Sequence, residues 1–327
     1  MKKKILILAT LFSLFLFPQK VNAAEENIVN TENHIYSYEE MKEDIFSLYM
    51  KYPERIEIIN LGFTVDNRNV YQIILGNRDA KNAIIIQGGI HAREWMNSWM
   101  LMESLEMCLD NWNQLAPCGK TYEEVFENCC IYLIPMVNPD GVTISQFGID
   151  ALQSDIVKNN CHQMPGASNP KRWKANANGV DLNRQFLTGW GNRIDTFVPS
   201  SEMYNGLSAF TEPEAIMIRN ALEQRPFIAG ITYHSMEGAI YWDLGQTGLL
   251  RTQTEILANH CKNITGYKLG EASIIKGLDY NYMNFEKGIP TVCIETGTVE
   301  CPLPYSQWNK VWRENGMLMP ILAGCYQ

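Results

Sequence analysis

The 327-residue sequence predicts a single-domain α/β fold: a mostly parallel, mixed central β-sheet with helices on both faces. Three observations lead there. Short, nearly continuous apolar runs recur along the chain, as strands buried on two faces require. Segments with apolar residues at helical spacing alternate with those runs. The composition, 46% hydrophobic and only 19% charged, supplies material for a large core and excludes a disordered chain.

The elements follow in order. Glu39 to Tyr52 carries apolar residues at helical spacing, and Pro53 ends it. Three strand-like runs come next: IEIIN at 56–60, VYQIIL at 70–75 and AIIIQ at 83–87, with Asn67-Arg68-Asn69 as the turn between the first two. Trp95 to Trp112 reads as helix. CIYLIPM at 130–136 is a further strand-like run, ending in the turn signal NPDG. Residues 141–210 are rich in Asn, Gly, Pro and Ser and read as long loops, which in a compact domain are usually functional. Thr211 to Gln224 reads as a helix opened by the cap-like TEPE. IAGITYH at 228–234 and TVCIE at 291–295 complete the strands; Arg251–Lys262 and Tyr305–Leu322 complete the helices. No repeat, linker or second domain is evident.

In an open α/β sheet, ligands sit outside the carboxyl ends of the strands. Three runs here deliver polar residues to that edge. AIIIQGGIHARE brings His91 and Glu94, IAGITYH brings His234, and TVCIE brings Glu295. Each alone is as readily a hydrogen-bonded structural residue; the set of four is not. His91 and Glu94, three apart on a turn, can reach one ion, and His234 closes a His₂Glu set with a fourth position open. The glutamate is then a ligand, unlike that of the helical H-E-x-x-H pattern, so the base must come from elsewhere, and Glu295 is the candidate. Gly88 and Gly89 allow a sharp turn before His91. The stretch KRWKANANGVDLNRQF at 171–186 places Lys174, Asn183 and Arg184 together. An Asn-Arg pair suits a carboxylate, although a surface loop with an ion pair would look the same.

HAREW, VNPDGV, GVDLNR, YHS and the late glutamate, in that order, resemble the zinc carboxypeptidase family that includes pancreatic carboxypeptidases A and B; the resemblance runs from Tyr36 to Ala323. Carboxypeptidase A is itself the standing example of a His₂Glu zinc enzyme. The resemblance implies a carboxypeptidase-like α/β/α fold and one zinc ion held by His91, Glu94 and His234. It implies Glu295 as general base and then general acid, and Asn183 and Arg184 as the grip on a substrate's terminal carboxylate. Arg93 is implied in substrate binding. Two positions depart from the pattern. The family's oxyanion-stabilising arginine follows a tryptophan, whereas Lys174 follows Trp173 here, keeping the charge without the bidentate fork. The loop before the last strand is short, and none of Tyr267, Tyr280 and Tyr282 aligns with the family's mobile tyrosine. Leu278 falls near the family's pocket residue and implies apolar leaving residues. WKANANGVDLNRQF and PLPYSQWNKVWREN look closer to a bacterial branch that includes γ-D-glutamyl-diamino-acid peptidases acting on cell-wall stem peptides.

The start of the chain has three lysines, an apolar run from Ile5 to Phe17 and the small-residue end Val21-Asn22-Ala23, the pattern of a secretory signal peptide. The expected organisation is a signal peptide at 1–23, a short lead at 24–35 and a catalytic domain at 36–327, exported without a zymogen pro-segment. The apolar run is short for a membrane span, and no cysteine marks a lipid anchor. Loss of Lys2, Lys3, Lys4 and Lys20 takes the formal charge from −9 to about −13, a surface that repels nucleic acid and anionic membranes. The family resemblance, not the charge, implies the partner: a peptide or cell-wall stem peptide. Nine cysteines in an exported chain permit disulfides; Cys293, inside an apolar run, reads as a buried thiol. The rival readings are a different hydrolase on the same scaffold (an amidase or deacylase) and a non-catalytic binding protein.

Overall fold

The computed structural model describes residues 27–32, 34–271 and 276–326. The expected signal peptide, and part of the lead at 24–35, lie outside the described residues.

Along the chain run α1 (Tyr38–Lys51), β1 (Ile56–Phe63), β2 (Asn69–Leu75), β3 (Asn82–Gln87), α2 (Met96–Asp110), α3 (Tyr122–Asn128), β4 (Cys129–Ile134), α4 (Pro139–Phe147), α5 (Asp155–His162), α6 (Pro213–Ala221), β5 (Ala229–Ser235), β6 (Ala239–Asp243), α7 (Gly248–Thr265), β7 (Lys268–Glu271), α8 (Asp279–Phe285), β8 (Thr291–Thr296), α9 (Trp308–Asn315) and α10 (Leu318–Cys325). The strands form one sheet in the order β1-β2-β4-β3-β5-β8-β6-β7. The centre, β4-β3-β5-β8, is parallel, and antiparallel pairs flank it at β1-β2, β2-β4 and β6-β8. The sheet is therefore mixed, as expected.

Alternation along the central strands explains why helices cover both faces. Ile84 and Ile86 of β3, with Cys129, Ile131 and Leu133 of β4, enter the core shared with α1, α2, α7, α9 and α10. Ala83 and Ile85, with Cys130, Tyr132 and Ile134, face the other way into a core shared with α6 and α8. Every residue of β4 is buried, which is why its sequence shows no polar alternation.

Four expectations need correction. NPDG is a helix start rather than a turn: Asn138 caps α4 by accepting from the Gly141 N–H, with Pro139 in the first turn. The region 141–210 is accordingly not all loop, since it holds most of α4 and all of α5. The TEPE segment forms no capping box; α6 begins at Pro213, and Thr211 instead donates to Gln185 Oε1. The last predicted helix is two, α9 and α10, broken at Gly316-Met317. All nine cysteines are unpaired thiols, and Cys293 is buried. No helix among the described residues is long and apolar enough to cross a membrane.

Candidate active site

The chain goes from β3 to β4 on one side and returns to β5 on the other, so the carboxyl edge of β3 and β5 is a topological switch point. His91 follows β3 after Gly88-Gly89. Gly89 has φ +63, and a Cβ there would lie 2.6 Å from Ser98 Oγ, so only glycine fits. Glu94 closes the 3₁₀ turn Ala92–Glu94. His234 lies one residue before the end of β5, paired with Glu295 on β8. A polar tie holds these strand ends to α2: Thr296 Oγ1 donates to Asn97 Oδ1 at 2.7 Å, and Asn97 Nδ2 donates to Ser235 Oγ at 3.2 Å.

His91, Glu94 and His234 converge. Their ligand atoms lie within 4.8 Å of one another and all three residues are buried. The Nδ1 atoms of the two imidazoles are 3.1 Å apart; Glu94 Oε1 is 2.8 Å from the first and Oε2 is 3.1 Å from the second. Two ring nitrogens aimed at one point, with a carboxylate beside them, is a donor set for a cation. The far nitrogens face polar groups, His91 Nε2 at ion-pair distance without a hydrogen bond. His91 Nε2 lies 3.3 Å from Asp181 Oδ1; His234 Nε2 lies 3.3 Å from Asn183 Nδ2 and 4.0 Å from Asp279 Oδ2. Carboxylates behind ligating histidines fix ring orientation and raise basicity. The electrostatics agree. Burial pulls the His234 imidazolium down, but the hydrogen bond and charge of Glu94 outweigh it and raise its pKa to about 9. Burial raises the Glu94 carboxyl, and the two histidines more than offset this, leaving it below its usual range. The point of convergence favours positive charge, so these residues fit a zinc ion.

His91 and His234 line a cavity of about 390 Å³, together with Glu295, Lys174, Asn183, Arg184 and Leu278. Burial, then the neighbouring Glu94 and Glu237, raise the Glu295 carboxyl to about 7, against the lowering charges of His234 and Lys174. Arg184 is 4% exposed, and its Nη1 is buried without a hydrogen-bond partner. Lys174 Nζ is held 2.9 Å from Asp181 Oδ2.

The structure thus brings together all the sequence-predicted residues but one. Arg93 does not line the cavity: its Nη1 donates to the Arg172 carbonyl at 3.0 Å and pairs with Glu202 at 3.1 Å. Leu278 lines the cavity within an apolar cluster that includes Tyr241, Tyr280 and Cys293, while Glu237, Glu271, Arg193 and Lys276 line the same cavity. Of the three tyrosines considered, only Tyr280 lines the cavity, and Tyr241 of β6 joins it.

Sequence reasoning missed Asp181, the residue that organises the site. Its buried carboxylate is shared by Lys174, Arg184 Nε and His91. Burial raises its pKa, and these partners overcome that to hold it well below the carboxylate range. A signal was present, since an aspartate two residues before Asn183 can accept that residue's N–H, as it does at 3.2 Å. Asp279, which accepts from Gln87 Nε2 at 2.5 Å, had no such local signal.

Residues 41–315 match the zinc carboxypeptidase family of peptidases, M14. The chain belongs to that family. It is a metallopeptidase, a hydrolase whose cofactor is zinc. This zinc carboxypeptidase family member is similar to the gamma-D-glutamyl-L-diamino acid endopeptidase 1 of Lysinibacillus sphaericus, 29% identical over 91% of this chain and 74% of that one. It is similar also to human mast cell carboxypeptidase A, 26% identical over 65% of this chain and 48% of that one. The solved carboxypeptidase A of Helicoverpa armigera superposes with a TM-score of 0.68 at 19% identity, covering 89% of this chain and 73% of that one, a likeness of fold.

Proposed function

We propose that this chain is an exported zinc carboxypeptidase that removes the last residue of a peptide. The observation that carries the reading is the convergence of the His91, Glu94 and His234 donors beside Glu295, in the same cavity as the unpartnered Arg184 Nη1. His91, Glu94 and His234 hold the ion. When bound, zinc supplies a Lewis acid and makes water more acidic. Glu295 takes the proton of the attacking water and returns one to the leaving amine, a role suited by its raised pKa. Arg184 and Asn183 grip the terminal carboxylate and so set which bond is cut. Lys174 faces the developing negative charge. The leader at 1–23 directs export, and 36–327 form the catalytic domain.

A second reading is favoured by the charged cavity and the Lysinibacillus relative: cleavage of a γ-D-glutamyl bond to a diamino acid in cell-wall stem peptides. Product mass spectrometry on hippuryl dipeptides and on γ-D-glutamyl-diaminopimelate peptides, each with and without chelator, separates the two. Turnover that persists in chelator, or no turnover of either substrate class, rejects the peptidase reading.

A further inference from the structure

Of the nine cysteines, two are exposed, Cys118 and Cys325, and the others are buried. Far apart in sequence, these two meet at one place on the surface. A Cβ at Gly324 would lie 2.9 Å from both Cβ and Sγ of Cys118, so the Cys118 side chain fills the notch that this glycine leaves in α10. Cys325 is the next residue and the last of that helix. Burial and then Cys118 raise the Cys325 thiol, as two sulfurs in one neighbourhood should.

Both backbones are held. Cys118 lies in the turn between α2 and α3, where Ala116 donates its N–H to the Lys120 carbonyl at 2.8 Å and Gly119 donates to the Ala116 carbonyl at 2.9 Å. Thr121 then caps α3. On the other side, Leu318, Leu322 and Ala323 fix α10 to the core. Just past Cys325, the Tyr326 carbonyl accepts from Asn82 Nδ2 at 2.6 Å, at the start of β3. Two side chains on fixed backbones give up little freedom when they join. The competing thiol is Cys261 of α7, which burial and then Cys325 raise. It is fully buried, where a disulfide donor has no access.

We propose that Cys118 and Cys325 are a disulfide-forming pair, oxidised outside the cell by thiol–disulfide exchange with a disulfide donor. One thiol loses its proton to solvent, and its thiolate attacks a sulfur of the donor, breaking the donor's S–S bond and releasing one donor thiolate. The other cysteine, as thiolate, attacks the protein sulfur of this mixed disulfide and releases the second donor thiolate. Two electrons pass to the donor, and its two thiolates take up the two protons. The bond ties α10 to the α2–α3 turn and closes a loop that contains His234 and Glu295, so it stabilises the fold chiefly by restricting the unfolded chain. The pair draws on the export reading only for its oxidant, which the experiment supplies.

The zinc-loaded mature chain, fully reduced, is incubated with oxidised glutathione. Thiols are then counted in denaturant and mapped by non-reducing peptide mass spectrometry. The monomer is expected to lose two of its nine thiols, joined in one linked peptide that holds Cys118 and Cys325, with no glutathione retained. Cys118→Ser and Cys325→Ser should each carry a single glutathione on the exposed thiol that is left. The oxidised wild type should melt roughly 5 to 15 °C above its reduced form, and neither serine variant should show that gain. Separate glutathione adducts on Cys118 and Cys325, a link to Cys261 or any other cysteine, a disulfide-linked dimer, or nine retained thiols overturns the proposal. Each outcome is read by mass, without turnover, so it stands apart from the peptidase reading. A link that forms in glutathione while the chain stays inside its host cell rejects export and leaves the pairing intact.

Discussion

At the residue scale, Glu295 sits between opposed influences: burial and two nearby carboxylates disfavour its charge, while His234 and Lys174 favour it. Its working form is the anion, so kcat/KM must fall as pH drops through its pKa. The value of about 7 applies to the protein residues alone, and a dication added beside it lowers it. The acidic limb of the kcat/KM profile of the zinc enzyme is therefore expected below pH 7; a limb well above 7 would show that another group limits turnover. Glu295→Gln should bind zinc as the wild type does and lose roughly 100- to 10,000-fold in kcat, the usual worth of a general base. Metal titration and single-turnover rates on one preparation check both halves. Asp181 makes a separate forecast. Asp181→Asn removes the charge shared by His91, Lys174 and Arg184, and zinc affinity should weaken roughly 10- to 100-fold, as for carboxylates behind ligating histidines. Unaltered affinity in a competition assay with a chelator dye would dismiss that role.

At the element scale, the parts readable from sequence were those with one dominant signal. β3, β4, β5 and β8 are built on short apolar runs because both faces are covered, and α1 has an apolar stripe with Ser37 capping it. The residues that meet at the site could be named because His234 and Glu295 lie near the ends of such strands and His91 follows one. What was hidden depended on long-range partners. Glu237, Glu271, Arg193 and Lys276 lie in segments with no periodic pattern, and only the fold puts them around one cavity. NPDG misled because Asn, Pro, Asp and Gly serve turns and helix starts alike. Asn138 shows what decided it. Its Oδ1 caps α4, while its Nδ2 donates to the carbonyls of Ile90 at 3.2 Å and Ala175 at 3.0 Å. One side chain thus starts the helix and clamps the loops carrying His91 and Lys174. Asn138→Ala should cost roughly 2–3 kcal/mol, a lost cap plus buried carbonyls left unmet, and should weaken zinc binding as well. Asn138→Asp keeps the cap acceptor and loses both donations. If chemical denaturation and zinc titration find that Asp restores metal affinity fully, the clamp is not what positions His91.

At the scale of the whole molecule, the balance of buried acids sets how stability depends on pH. Burial raises Glu214 to about 8, with Asp140 and Glu212 adding to it; its Oε1 has no hydrogen-bond partner, and Asn176 donates to its Oε2 at 3.2 Å. Asp44 and Glu103, also raised chiefly by burial, each reach about 7. For such a group the folded state holds its proton where the unfolded chain has already released it. Its contribution to stability is full below the unfolded pKa of 4.5 and is lost as pH rises towards the folded value. Asp181 acts in the opposite sense: its contribution is present at neutral pH and lost in acid, because its folded pKa is lowered. The protein is therefore expected to be most stable in mild acid, squeezed from below by Asp181 and from above by Glu214, Asp44 and Glu103. Glu214 isolates the upper arm, since it is not one of the proposed ligands and glutamine keeps its acceptor for Asn176. Wild type and Glu214→Gln should match near pH 4.5. The variant should then gain up to about 1.4 kcal/mol per pH unit until about pH 8, the slope set by a single proton. Denaturant midpoints for both proteins across that range measure the difference directly, and curves that stay parallel would mean that Glu214 ionises in the folded protein as freely as it does in the unfolded chain.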